Sequence, residues 1–471
     1  MHSGKSVAFL PLTRTNWPIF LRIAEEIGRR GIGRPFIILS NPVVKSLVHP
    51  TEQCVEFIDL CKRNGDSIQA LASPYRGAIS GASGRKSTMG RDRLKKLPFF
   101  NQISAWAKAF VLRRQVLVAE HLLQHYGITS VVVAGDRNTG FEPPLLKAAR
   151  LRGIPSIIPP TAFSATVEGL FIARRQNPFH FVTHNAKFKR LFPNQWRHDP
   201  LSGEDISFFS VPTTLAYAGQ GALPENPWVL GGGWSTRILV DSKDIKNRYE
   251  KMGVRPDKII VTGHPDYDDI YGSLLEKNET RDKLAKKYGL DSGKPIIVVC
   301  LPNWAEMGMK SWDWHWQESG FLCESAVTQE CNVLLSLHPS QERTRYLHLE
   351  EKFAPLRILD ERLSAVLPAV DIYLTGLSSS TISWAALCAV PVVVADHYPE
   401  KDHIYEGLPG VAYVADRYQL HGTLSALIAD VNTHARDSVH HKNDERYGIL
   451  DGHAVKRIID CILSPNVPFA G

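Results

Sequence analysis

Short apolar runs recur along the chain, each closed by small or polar residues and followed by a stretch with helical spacing. Val7 to Leu10 is the first run. Pro18 to Arg30 after it reads as a helix with proline in its opening turn. Gly31 and Gly33 close that helix, and Phe36 to Leu39 is the next run. Strand, helix, strand in this order implies a parallel sheet. Residues 72–100 break the alternation with glycines and basic residues and read as a loop. A long helix follows at Gln102 to Tyr126. Strands are then expected at Ser130 to Ala134, Ile154 to Ile158, Thr236 to Val240 and Lys258 to Val261. Residues 160–225, between two of these, are aromatic and less regular.

Pro295 to Leu301 opens a second series. Its later strands are Val333 to Leu337, Arg357 to Leu359, Ile372 to Leu374, Val392 to Ala395 and Val411 to Tyr413. A chain of 471 residues is long for one core. The expected fold class is therefore α/β, with two doubly wound Rossmann-like domains facing across a cleft. The first would span 1–270 and the second 294–450. The charged segment 271–293 would connect them, and a helix in 451–471 would pack back toward the junction.

Composition narrows the classes of function. Hydrophobic content of 44% and charged content of 22% are globular values. The formal charge of +7 suits anionic substrates or a membrane surface. Nucleic acid is not an expected partner, because the basic residues are not gathered with aromatics along one face. The seven cysteines form no CxxC pair, which fits a reducing, cytoplasmic setting. No stretch reaches the roughly 18 apolar residues of a membrane span. Peripheral contact with the inner face of the membrane, or with an acceptor, is expected from Arg85 to Phe110, where a basic run meets an aromatic helix. Asp396-His397 and Asp402-His403 match no compact metal-site spacing, and no metal is expected.

The chemistry-bearing motifs fall at expected strand ends, where open parallel sheets bind ligands. Ser378, Ser379, Ser380 and Thr381 follow Ile372 to Leu374 and precede a helix. Helix-start N–H groups and hydroxyls together favour a phosphate there. His338-Pro339 ends another strand about forty residues upstream, a second candidate phosphate contact. Asp136 ends the Ser130 strand and is a candidate catalytic base or acceptor-hydroxyl partner.

These elements resemble the GT-B glycosyltransferases of bacterial surface polysaccharides and the related non-hydrolysing UDP-N-acetylglucosamine 2-epimerases. The carriers are Ala134-Gly135-Asp136, Val261-Thr262-Gly263-His264-Pro265 with Asp268, His338-Pro339, and Ser378 to Ser380 before Pro391 to Val394. The His-Pro pair with the serine run is similar to motifs of transferases that use CMP- or CDP-activated donors. The resemblance implies a nucleotide-sugar donor held by Asn303, Glu306, His338, Pro339, Ser378, Ser379, Ser380 and Thr381, with no cofactor or metal. It adds Glu168 and His264 to Asp136 as candidate catalytic residues. UDP enzymes of this fold usually carry a ribose-binding glutamate in the helix after the serines. Ser383-Trp384-Ala385-Ala386 stands there instead, which favours a CMP- or CDP-linked donor over UDP. The expected activity is transfer of a sugar or sugar acid to a capsule-, lipopolysaccharide- or other surface-polysaccharide acceptor, or to a lipid-linked one. An epimerase and a non-catalytic nucleotide-sugar binder are the alternatives.

Overall fold

The computed structural model describes residues 4–48, 54–61, 98–161, 167–175, 177–376, 379–398, 403, 405–433 and 447–464. The basic run Arg85 to Lys96 lies outside them. The chain divides into two compact units. The first is Met1–Val240, Ile245–Thr262 and Lys456–Gly471; the second is Asp241–Asp244 and Gly263–Val455. The segment 271–293, expected as a connection, contributes the helix Lys277–Tyr288 and lies inside the second unit.

In the first unit the strands are β1 (Ser6–Leu10), β2 (Arg34–Leu39), β3 (Glu56–Asp59), β4 (Ile128–Val133), β5 (Ser156–Ile158), β6 (Trp196–Asp199), β7 (Glu204–Ser207), β8 (Arg237–Val240) and β9 (Ile259–Val261). Seven form a parallel sheet in the order β3-β2-β1-β4-β5-β8-β9, and β6-β7 is a separate antiparallel pair. Strands covered on both faces read as continuous apolar runs, which is why β1, β2 and β4 were visible in the sequence. β3 was missed because Glu-Phe-Ile-Asp is too short and too polar to stand out.

The irregular region 160–225 organises around aromatic packing. Phe171, Phe208 and Trp228 are fully or nearly buried together, with ring centroids 5.2 and 5.4 Å from Trp228. Helix Pro98–His125 buries Leu112, Val118, Ala119 and Leu122, and exposes Ile103, Trp106 and Phe110. Among the described residues no helix is long and apolar enough to cross a membrane.

The second unit holds β10 (Ile296–Cys300), β11 (Asn332–Ser336), β12 (Arg357–Ile358), β13 (Ile372–Thr375), β14 (Val392–Ala395) and β15 (Val411–Val414). All are parallel, in the order β12-β11-β10-β13-β14-β15. Successive residues of one strand serve opposite faces: Ile296 and Val298 enter one core, Ile297 and Val299 the other. The strand order reverses direction between β10 and β13, so their carboxyl ends flank a crevice of the kind that binds nucleotides.

Candidate functional site

Asn303 and His338 meet at the carboxyl ends of β10 and β11. Trp304 anchors the first turn, buried against Trp314 and Tyr398 with centroids 4.9 and 5.1 Å away. The turn closes when Met307 N–H donates to Asn303 O at 3.0 Å. Asn303 Nδ2 then donates to Ser340 Oγ at 3.0 Å and lies 3.2 Å from His338 Nδ1. Ser340 adds its backbone N–H at 3.1 Å and its hydroxyl at 2.7 Å to the same ring nitrogen. A backbone N–H can only donate, so Nδ1 is the acceptor and the ring proton sits on Nε2. Burial pushes the His338 pKa down, with Glu306 pulling the other way, which favours this neutral form. The residue is thus a fixed N–H donor at a sheet edge.

A second tier holds the His338 loop. Gln341 Oε1 accepts from His338 N–H at 2.6 Å, and Gln341 Nε2 donates to the Tyr346 hydroxyl at 2.8 Å. Tyr346 donates in turn to Glu306 Oε1 at 2.5 Å, and His315 Nε2 lies 2.7 Å from the same hydroxyl. Glu306 therefore meets the support network through one of its oxygens. Its Oε1 is on the Tyr346 hydroxyl, and its Oε2 is enclosed without a partner among the described residues. Tyr346, Gln341 and His315 were not legible as site residues. Each acts through another side chain, and only Gln341 is near the His-Pro pair in sequence.

On the other side of β10, β13 leads through Gly376 into the serine turn. A Cβ on Gly376 would come within 2.9 Å of Leu322 Cδ1 and Trp304 Cη2, so only glycine lets the strand pass. Ser378 lies outside the described residues. Ser379 Oγ is 2.9 Å from Thr381 Oγ1, which is itself 2.6 Å from the Tyr373 hydroxyl. Ser380 is the N-cap of helix Thr381–Leu387 yet makes no side-chain capping bond. The turn does not conform to ordinary serine capping. Pro339 is exposed beside His338.

Of the three catalytic candidates, Asp136 and Glu168 belong to the first unit and His264 to the second. Asp136 is buried, and its carboxylate holds the loop 231–235. Gly231 N–H donates to Oδ1 at 3.0 Å, while Gly233 N–H at 2.8 Å and the Ser235 hydroxyl at 2.7 Å donate to Oδ2. A Cβ on Gly233 would lie 2.4 Å from Asp136 O, so glycine is required there. Both oxygens accept from fixed donors, so Asp136 anchors the loop 231–235. Glu168 lies in helix Val167–Arg175, and its side chain is outside the described residues. His264 is enclosed in the second unit, its ring 5.1 Å from that of Trp384 and its Nδ1 accepting from Asp266 N–H at 3.2 Å. Trp384, which stands where the resemblance to UDP enzymes implies a ribose-binding glutamate, thus packs on His264.

His403 and Asp396 pair at 2.7 Å, and His397 pairs with Glu318 at 2.9 Å. Among the described residues no group of three or more His, Cys, Asp or Glu is arranged to hold a metal.

Residues 237–464 match the family model of CDP-glycerol:poly(glycerophosphate) glycerophosphotransferases. The match runs from β8 through the whole second sheet and takes in Asn303, His338 and the serine turn. No curated protein matches the chain. A solved UDP-GlcNAc 2-epimerase from Neisseria meningitidis, bound to UDP-GlcNAc, aligns at TM-score 0.51 and 13% identity, over 98% of this chain and 99% of its own. A structure from Listeria monocytogenes described as a UDP-N-acetylglucosamine 2-epimerase aligns at TM-score 0.51 and 12% identity, over 98% and 97%. At such identities the likeness shows the fold, a GT-B-type pair of Rossmann-like domains. Fold and family match together make the chain a GT-B-type transferase that works with a nucleotide-activated donor, as the sequence resemblance implied.

Proposed function

We propose that the chain moves a polyol phosphate from a CDP-linked donor to a hydroxyl of a growing surface polymer, with no cofactor. The match of residues 237–464 to glycerophosphotransferases supports this donor and cargo over the sugar first expected. In the proposed step, the acceptor oxygen attacks the phosphorus that carries the polyol. The bond from that phosphorus to the cytidine monophosphate oxygen breaks, CMP leaves, and the hydroxyl proton is released. Negative charge grows on the leaving phosphate, so a fixed donor aimed at it lowers the barrier. The observation that carries the reading is His338: its Nδ1 is occupied by Ser340, which leaves Nε2–H as a preorganised donor at the sheet edge. Ser379 and Ser380, after the adjacent strand, would supply hydroxyl donors. Transfer rather than epimerisation is favoured because Asp136 and His264, two of the three acid/base candidates an epimerase would need, are engaged structurally.

The test is CMP release from CDP-glycerol with a poly(glycerophosphate) primer. His338→Ala should slow it by about 10²-fold or more, the usual cost of losing one such donor, and Ser379→Ala should remove most of the activity. Both variants should melt within a few degrees of the parent. Full turnover in both would overturn the assignment. Turnover of UDP-GlcNAc alone would point to the epimerase.

A further inference from the structure

A pocket of about 380 Å³ opens in the first unit, beyond the carboxyl end of β4. Its wall combines Arg137 and Thr139 from the β4 turn with Arg174, His180, Ser210 and Thr213 from the aromatic region 160–225. We propose that this pocket binds the phosphate group of a polyol phosphate ester, the class of group an acceptor chain would present.

The two guanidiniums carry the argument. Neither forms an ion pair with a carboxylate among the described residues. The nearby carboxylates are engaged elsewhere: Asp136 by N–H groups of the loop 231–235, and Glu142 by N–H groups of its own turn. Arg137 Nη1 donates to Trp228 O at 3.0 Å, and Arg174 donates through Nε to Phe208 O at 2.8 Å and through Nη1 to Leu170 O at 2.6 Å. Those bonds fix the planes and leave the Nη2 group of each arginine without a partner among the described residues. Arg174 lies 3.9 Å above the Phe208 ring, which holds it further. Two such cations held near each other are costly. Burial and the neighbouring Arg137 push the Arg174 pKa down to about 10, and an anion would relieve both charges at once.

The rest of the wall suits an ester better than a nucleotide. Ser210 Oγ and Thr213 Oγ1 are 2.8 Å apart, so one hydroxyl proton of the pair remains for a ligand. Ser210 is also the N-cap of helix Val211–Gly219 and makes no capping bond, which turns a helix start toward the same wall. His180 donates Nδ1 to Ser207 O at 2.8 Å, leaving Nε2 for a polyol hydroxyl. The Phe208 face that a base would stack on is taken by Arg174.

Assigning the ester to an acceptor rests on the transferase reading; the anion site itself does not. The full chain is titrated calorimetrically with glycerol 3-phosphate, inorganic phosphate and glycerol. Glycerol 3-phosphate should bind and glycerol should not. Thr139 is exposed at the rim, so its replacement spares the core. Thr139→Glu should weaken ester binding about tenfold through like-charge repulsion, Arg174→Gln should weaken it at least as much, and Thr139→Gln should keep it. Ester binding that none of these variants changes, or no ester binding at all, overturns the site. Inorganic phosphate binding as tightly as the ester overturns the ester assignment. CDP binding is measured on the same proteins. Its loss in His338→Ala with ester binding kept, and its retention in Thr139→Glu with ester binding weakened, separate this site from the donor site.

Discussion

Asp136 and Glu142 show how two acidic side chains at one strand end can both be structural. Asp136→Asn would turn an amide N–H₂ toward fixed N–H donors and leave at least one without an acceptor. The expected loss is about 1–3 kcal/mol of unfolding free energy, read from denaturant titration, with the activity of the folded fraction retained. An active-site base would give the opposite result, intact stability and lost turnover. Glu142, fully buried, accepts from Gly135 N–H at 3.0 Å, Asn138 N–H at 3.2 Å and Asn138 Nδ2 at 3.1 Å. Burial nevertheless pushes its pKa from 4.5 up to about 7. Between those values the folded chain keeps a proton that the unfolded chain has released, so this group makes stability fall as pH rises through that window. Unfolding free energies at pH 5 and pH 8 should show that fall in the parent. Glu142→Gln should lose it, and an unchanged difference would refute the assignment.

The strand ends decide where chemistry can sit, and close packing decides how well it is held. β13 reaches its serine turn only because Gly376 passes between Leu322, Trp304 and Tyr398. Gly376→Ala forces a methyl into that contact, at a cost of about 1–3 kcal/mol for overpacking. It should also displace the turn and reduce nucleotide binding, measured by thermal shift with CDP. A variant with native stability and native CDP binding would contradict the packing account. Apart from β3, the strands of both parallel sheets are legible as apolar runs because parallel strands are covered on both faces. Trp312, Trp314 and Trp316 alternate with Asp313 and His315, a spacing that imitates a strand. They begin the helix Trp312–Val327, where the Ser311 hydroxyl accepts from Trp314 N–H. There Trp314 and Trp316 pack on Trp304 and Tyr346, at 4.9 and 5.0 Å.

The final helix, Ala454–Leu463, links chain ends that lie far apart in sequence. Its first N–H groups, at Ala454 and Val455, are capped by Asp268 at 2.7 and 3.0 Å. From Lys456 onward it counts with the first unit, where Ser130 Oγ donates to Ile462 O at 2.8 Å. Ile458, Ile459 and Ile462 are all but fully buried. Deleting residues after 453 should destabilise the first unit by several kcal/mol, since each such side chain contributes about 1.5–3 kcal/mol. Calorimetry should show that loss as a lower melting transition, and an unaltered profile would exclude the helix from the core.

Local composition was enough for the parallel sheets, for a pair of α/β units and for the placing of His338, Asn303 and the serine turn at strand ends. Those features depend on short apolar runs and the residues that stop them, which are properties of neighbours in the chain. The roles of single polar side chains were not available that way. Asp136 serves a loop about a hundred residues later, and Glu306 meets a tyrosine forty residues on. Arg137 and Arg174 share a pocket wall although a strand and a helix separate them in the chain. A donor or charge finds its partner only after folding sets distance and burial, so these assignments rest on packing between segments and not on the order of residues.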